Sequence, residues 1–269
     1  MRGKVEKYLL DKIENEGCIH ITLVDPDKSS SLNCSTIAKM AEEGGTSAIM
    51  VGGSTLYAKE DLDDAVLSIK EKVDIPIILF PNGPVGISKH ADAIWFMSLL
   101  NSSNTYWIVD AQALSAPLVK RYQIESLPMG YIISGEGCVA GHVGQARLIS
   151  YKHPELAVGY SMAAEYLGMR FVYLEAGSGA ESPIPTSMIS AVRRHIGIPL
   201  IVGGGLRNPD SALEAKLAGA DIIVTGTLVE KEEAVKDKIS EIVSAIIEKI
   251  CTTAGIRYDL SGELGFRAQ

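Results

Sequence analysis

Short apolar runs alternate along this chain with longer stretches in which apolar residues recur every three or four positions. The runs are CIHITLVD (18–25), SAIMVGG (47–53), IPIILF (75–80), AIWFMSLL (93–100), GYIIS (130–134), FVYLEAG (171–177), IPLIVGGG (198–205) and ADIIVTG (220–226). They are near-continuous in Val, Ile and Leu, the pattern of parallel strands covered on both faces. Between them lie helical segments such as NCSTIAKMAEEGG and NPDSALEAKLAGA. These close at Gly44-Gly45 and Gly219, where a helix end favours a left-handed residue. About eight strand–helix units predict one α/β domain over 1–269, a (β/α)8 TIM barrel, and fit an open doubly wound sheet far less well. The likeness of IPIILFPN to IPLIVGGG points to repeated barrel units, and no Pro/Gly/Ser-rich linker divides the chain. Two segments are irregular. PNGPVGISKHAD, between the third and fourth runs, is short and holds Pro and Gly, so the third helix is predicted to be degenerate or absent. SGEGCVAGHVGQARLISYKHPE (134–155) is long and glycine-rich, and such loops in compact domains often cover a site.

Composition narrows the function classes. At 46% hydrophobic and 22% charged, the chain has ample material for one large core. A formal net charge of −8 argues against a nucleic-acid partner, which needs clustered Lys and Arg. No apolar run approaches the roughly 20 residues that span a bilayer. The opening MRGKVEKYLLDKIENEG is amphipathic and charged in both signs, unlike a secretory signal, so a cytoplasmic location is expected. Cys18, Cys34, Cys138 and Cys251 lie far apart and the five histidines are scattered. Neither a zinc site nor a disulfide framework is expected.

Chemistry in such a barrel sits at the carboxyl ends of the strands. Three neighbouring ends are glycine-rich: AGSG (176–179), GGG (203–205) followed by LRNPD, and TGT (225–227). Glycine lets backbone N–H groups approach an anion, and a helix beginning at Asn208-Pro209 adds a favourable dipole. One such turn would be an ordinary chain reversal; three side by side predict a phosphate site. The first strand ends at Asp25, with Asp27 beyond it. A carboxylate at the mouth suits Mg2+, which pairs one or two carboxylates with phosphate oxygens, whereas Asp27 reads as a cap or Asx turn. The second strand ends in the hydroxyls of Ser54 and Thr55, a weak signal alone. In the sixth run, period-two alternation turns Tyr173 and Glu175 into the upper barrel and Leu174 toward the helices. A carboxylate there is costly unless hydrogen-bonded or used in chemistry, and it could accept a proton from a substrate hydroxyl.

Taken together, LVDPDKS, VGGST, FMSLLNSSN-x-YW, YLEAGSG, IVGGGLRNP and the TGT turn resemble the geranylgeranylglyceryl phosphate synthases of archaea and their bacterial relatives, over about residues 5–248. The resemblance implies a Mg2+-dependent transfer of a geranylgeranyl group from its diphosphate to the C3 hydroxyl of sn-glycerol 1-phosphate. That is the first ether-bond step of archaeal phospholipid synthesis. It implies Asp25 and Ser54 as metal ligands. It places the glycerol phosphate against Tyr173, Leu174, Glu175, Ala176, Gly177, Ser178 and Gly179, with Gly204, Gly205, Gly226 and Thr227. Glu175 would be the general base and Tyr173 would orient the acceptor. An apolar groove for the prenyl tail is expected along strands two to five, with Trp95, Phe96, Tyr106 and Trp107 as candidates to line or stop it, although ordinary packing explains each aromatic as well. Some family members carry Lys two residues before the metal-binding Asp; here that residue is Leu23, which leaves a diphosphate contact to Lys28 or another residue. The chain is closer to the archaeal-type subgroup, which implies a homo-oligomer with at most peripheral membrane contact.

The same transfer with a prenyl chain of different length is one alternative, and two other readings share these motifs. An isomerase or lyase acting on a sugar phosphate would use the same glycine turns and a paired acid and base, for which Asp25 and Glu175 would serve. A non-catalytic phosphate- or lipid-binding barrel would need neither an aligned carboxylate nor a base.

Overall fold

The computed structural model describes residues 3–28, 30–53, 59–226 and 234–247. Each apolar run becomes a strand: β1 (Ile19–Val24), β2 (Ala48–Val51), β3 (Ile77–Leu79), β4 (Ala93–Leu99), β5 (Glu125–Ile133), β6 (Phe171–Glu175), β7 (Leu200–Gly203) and β8 (Ile222–Thr225). All pairings are parallel and follow chain order, and β8 returns to β1 with Ile223 opposite His20, closing the barrel. The expected fold is therefore present. β5 begins before its apolar run, because Glu125 to Met129 pair with Ala93 to Met97 of the long β4. Pro128 lacks a donor but keeps its acceptor role, taking the amide of Arg170 at 2.9 Å.

The helices are α1 (Lys4–Glu16), α2 (Ser31–Glu43), α3 (Lys59–Lys70), α4 (Ala111–Tyr122), α5 (Cys138–Val143), α6 (Pro154–Tyr166), α7 (Thr186–Arg193), α8 (Pro209–Leu217) and α9 (Val235–Ile246). Between β3 and β4 only a 3-10 turn forms, Pro84–Gly86, as its Pro- and Gly-bearing sequence predicts. α2 and α8 end as expected, with Gly45 at φ +96° and Gly219 at φ +110°. Asn208 caps α8, its side chain accepting from Ser211 N at 2.9 Å. The cap satisfies an amide at the start of a helix that follows the carboxyl end of β7.

Alternation along the strands divides the core in two. Ile19, Ile21, Met50, Ile78, Trp95, Phe171 and Ile201 fill the barrel interior. Residues such as Val172, Leu174, Val202 and Ile223 pack outward against the helices. Burying each such side chain contributes about 1.5–3 kcal/mol. The floor is closed by α1, whose Val5 and Leu9 join the interior cluster. Glu125 fixes that helix end, its two carboxylate oxygens accepting from the amides of Val5 and Glu6 at 2.8 Å each. A carboxylate on unpaired N-terminal amides is favoured by both hydrogen bonding and the helix dipole. With the floor sealed, the opposite end is the mouth.

Candidate active site at the barrel mouth

At the last turn of β6, Tyr173 and Glu175 project into the upper barrel while Leu174 faces the helix layer. Glu175 is only 6% exposed. One carboxylate oxygen, Oε1, accepts the Gly177 amide at 2.6 Å, and the Tyr173 hydroxyl donates to the same carboxylate. Burial pushes the Glu175 carboxyl above its ordinary range, and these two donors only partly offset the rise. The result is a carboxylate with a stronger appetite for a proton than an exposed one. Burial and the nearby Glu175 charge hold Tyr173 well above the usual phenol range, so it remains a donor.

β7 makes room for this pair. Glu175 stands in register with Gly203. A Cβ on Gly203 would collide with the Tyr173 hydroxyl, and one on Gly204 would lie 2.5 Å from Glu175 Oε1. The GGG turn therefore has a steric task besides offering amides to an anion.

Around them lies a cup whose polar and glycine lining includes Asp25, Tyr173, Glu175, Ser178, Gly179, Gly204, Gly205, Arg207 and Gly226, with apolar surface from Leu23, Leu206 and Val224. Seven of the residues expected from the motifs thus meet at one place with Asp25. Three others of that set do not line it. The side chains of Leu174 and Ala176 belong to the outer core, and the Gly177 amide is engaged by Glu175. Ser54, Thr55 and Thr227 lie outside the described residues. Asp25, not Asp27, makes the Asx turn, its Oδ1 accepting the Asp27 amide at 3.1 Å. A Cβ at Gly53 would run into the Asp25 carboxylate. Lys28 Nζ stands 4.0 Å from Asp25 Oδ2 and does not line the cup. Among the described residues no group of three or more His, Cys, Asp or Glu could hold a metal. A single carboxylate at the cup is a donor set for Mg2+ shared with substrate oxygens rather than for a protein-only cage.

The cup adjoins an apolar groove, with Gly53, Phe80, Tyr131 and Ala140 lining both. Gly53 after β2, Phe80 to Gly83 after β3, Ile94 to Met97 and Leu99 of β4, and Tyr131 of β5 form its barrel side. Ala111, Gln112 and Ser115 of α4 form the far wall. Three of the four aromatic candidates, Trp95, Phe96 and Trp107, line the groove. Tyr106 does not line it; it packs edge-on against Trp107 at 5.0 Å. Phe80, Tyr131 and Tyr173 meet at the junction of cup and groove, with ring centroids 5.3–5.9 Å apart. Their mostly edge-to-face arrangement fixes aromatic surface where the two spaces join.

The glycine-rich segment 134–155 forms a roof. It contains α5, whose Ala140 lines both cup and groove. Asn101 Nδ2 donates to the Arg147 carbonyl at 3.0 Å, Ser102 Oγ to Gly144 O at 2.6 Å, and Tyr151 Oη to Ser182 O at 3.3 Å. These bonds tie the segment down on several sides.

Sequence reasoning missed Phe80, Tyr131, Ala140 and Arg207. The signals for Phe80 and Arg207 were local: Phe80 ends the third apolar run, and Arg207 directly follows GGGL. Tyr131 and Ala140 acquire their place only through packing.

A closed parallel barrel with a polar, glycine-edged cup joined to an apolar trough defines a barrel suited to an amphiphilic, anionic ligand. Comparison with known proteins places the chain more narrowly: it belongs to the PcrB family, whose model matches residues 11–246. Geranylgeranylglyceryl phosphate synthase of Thermococcus kodakarensis is 52% identical over 243 residues, 89% of this chain and 96% of that protein. The protein of the same name from Thermofilum pendens is 50% identical over 248 residues, 92% of this chain and 97% of its own length. Among solved structures, that of (S)-3-O-geranylgeranylglyceryl phosphate synthase from Thermoplasma acidophilum, in complex with its substrate sn-glycerol-1-phosphate, superposes with a TM-score of 0.87. It shares 41% identity, covering 91% of this chain and 99% of the other.

Proposed function

We propose that this protein is a prenyltransferase that joins geranylgeranyl diphosphate to the C3 hydroxyl of sn-glycerol 1-phosphate. The products are 3-O-geranylgeranyl-sn-glyceryl 1-phosphate and diphosphate. The observation that carries this reading is the junction: a glycine-edged cup bearing Asp25, Glu175 and Arg207 adjoins an apolar groove, with Phe80 and Tyr131 lining both. An isomerase of sugar phosphates needs the cup but has no use for the groove.

In this reading the glycine turns hold the acceptor phosphate, and the acceptor's C3 oxygen faces the junction. The prenyl chain lies in the groove with its reacting carbon at the same point. Holding the two ends within reach replaces a collision with an intramolecular encounter. The allylic carbon–oxygen bond to diphosphate breaks, the electron pair leaves with diphosphate, and the C3 oxygen forms the new ether bond. Glu175 takes the proton from that oxygen, a role suited to its buried, proton-seeking carboxylate. Tyr173 holds Glu175 in place. Phe80, Tyr131 and Tyr173 stand where positive charge develops on the allylic carbon, which a ring face can attract, and the roof keeps water out. Mg2+, when bound, would neutralise the departing diphosphate, and Asp25 is the described residue that would hold it.

The deciding experiment incubates the protein with labelled sn-glycerol 1-phosphate, Mg2+ and a ladder of prenyl diphosphates. A labelled prenyl ether with equimolar diphosphate is expected. Conversion of a sugar phosphate without metal or diphosphate release would favour the isomerase reading. Asp25→Asn is expected to shift the Mg2+ titration to higher concentration; an unchanged titration would remove Asp25 as a ligand. Leu156, Tyr166 and Leu167 expose apolar surface on and just after α6, which is consistent with a homo-oligomer and can be checked by sedimentation. No helix among the described residues is long and apolar enough to cross a membrane, so contact with a lipid phase is proposed to be peripheral.

A further inference from the structure

Among the described residues lining the cup, Arg207 is the only cation, and it shares the space with the carboxyl groups of Asp25 and Glu175. β1 presents Leu23 there, an apolar residue that packs toward the interior. Amides and a helix end supply only partial charges. Two carboxylates facing a phosphate dianion would oppose its entry unless a full positive charge stands nearby.

Arg207 is also fixed in place. It lies between the GGG turn after β7 and Asn208, the cap of α8. Its Nη2 reaches across to the turn after β6, donating to the carbonyls of Gly179 at 3.1 Å and Ala180 at 2.8 Å. Among the described residues its Nη1 and Nε make no hydrogen bond. One nitrogen thus clasps the neighbouring turn, and the rest of a planar, permanently charged fork stays available to an anion.

We propose that Arg207 is the anchor for the acceptor's phosphate. It locks the end of the Gly177–Ala180 turn to the start of α8 and supplies the positive charge that the glycine turns lack. The ligand class it selects is a phosphate monoester dianion over a neutral polyol. This role rests on reading the cup as the glycerol-phosphate site.

The test uses the full chain with Arg207→Ala and Arg207→Lys, titrated calorimetrically with sn-glycerol 1-phosphate and, separately, with inorganic phosphate, without donor or metal. Losing a charged hydrogen bond predicts affinity for both ligands about tenfold weaker, or more, in Arg207→Ala. Arg207→Lys keeps the charge but loses the fork that clasps the turn, and should recover part of it. In steady-state assays the acceptor KM should rise while the prenyl diphosphate KM stays within about twofold, a split that general damage to the mouth would not produce. Unchanged acceptor affinity would overturn the proposal, as would equal losses for donor and acceptor, or a Lys variant as weak as Ala. If the unmodified protein binds inorganic phosphate through Arg207 but ignores sn-glycerol 1-phosphate, the anchor stands and the acceptor reading falls.

Discussion

The hydroxyl of Tyr173 fills the space that a side chain on Gly203 would occupy. The two residues belong to adjacent strands, and Gly203 is opposite Glu175 in the β6–β7 register. A single missing methyl group on β7 therefore sets where the phenol stands and, through its hydrogen bond, how the Glu175 carboxylate is aimed.

Gly203→Ala should thus impair chemistry without removing a polar group. Overpacking a tight site costs about 1–3 kcal/mol, and a displaced Tyr173 should lower kcat by about tenfold or more. Adding Tyr173→Phe removes the colliding oxygen. Denaturant unfolding of both single variants and the double variant should show a double-variant cost below the sum. Strict additivity would mean that the collision is relieved elsewhere.

Glu175→Gln should nearly abolish turnover yet raise stability at neutral pH. Burial lifts the folded-state pKa of Glu175 above its ordinary value of 4.5. Between 4.5 and that raised value the folded protein holds more protons than the unfolded chain, so stability falls as pH rises through this window. Gln carries no charge and escapes the loss. Melting curves should show the variant gaining on the unmodified protein above pH 4.5 and the gain vanishing below it. The same ionisation predicts that the acidic limb of kcat/KM lies above 4.5.

His20 is expected to set the acid limit of the fold. It is buried, with Nδ1 2.9 Å from Thr46 Oγ1 and Nε2 2.9 Å from Thr225 Oγ1. Burial lowers its pKa from 6.5 to about 3. Below 6.5 the unfolded chain takes up a proton that the folded protein refuses. Stability should therefore fall by up to about 1.4 kcal/mol per pH unit as pH drops from 6.5 toward 3. His20→Gln should be less stable at pH 8 but flatter over this range, measured by urea unfolding at stepped pH. An equally steep decline would assign the acid sensitivity to other groups.

The α4 wall of the groove offers a handle on chain length. Ala111 and Ser115 lie one helical turn apart on the face toward β4, and both are buried. Ser115→Phe should fill part of the groove, raising the KM for geranylgeranyl diphosphate several-fold more than for shorter donors. Competition between donors of different length would measure the shift. Equal effects on all lengths would place the tail elsewhere.

Much of this was legible along the chain because it depends on short-range patterns. Near-continuous apolar runs report strands covered on both faces, and period two separates Tyr173 and Glu175 from Leu174. Three neighbouring glycine turns report backbone open to an anion, and PNGPVGISKHAD is too short and too broken for a helix. The resemblance of YLEAGSG and its companion motifs pointed to the family that the comparisons establish. The remainder was decided by residues far apart in sequence. The N-terminal helix becomes the floor because Glu125 holds its amides from more than a hundred residues away. Pairing with β4 extends β5 through a proline. Gly203 shapes the place of Tyr173, Arg207 closes over the turn after β6, and segment 134–155 becomes a roof over both spaces. Periodicity records which face of an element is buried, but it carries no information about which distant side chain is buried against it. That pairing arises only when the strands close into a barrel, and it joins the phosphate cup to the apolar groove.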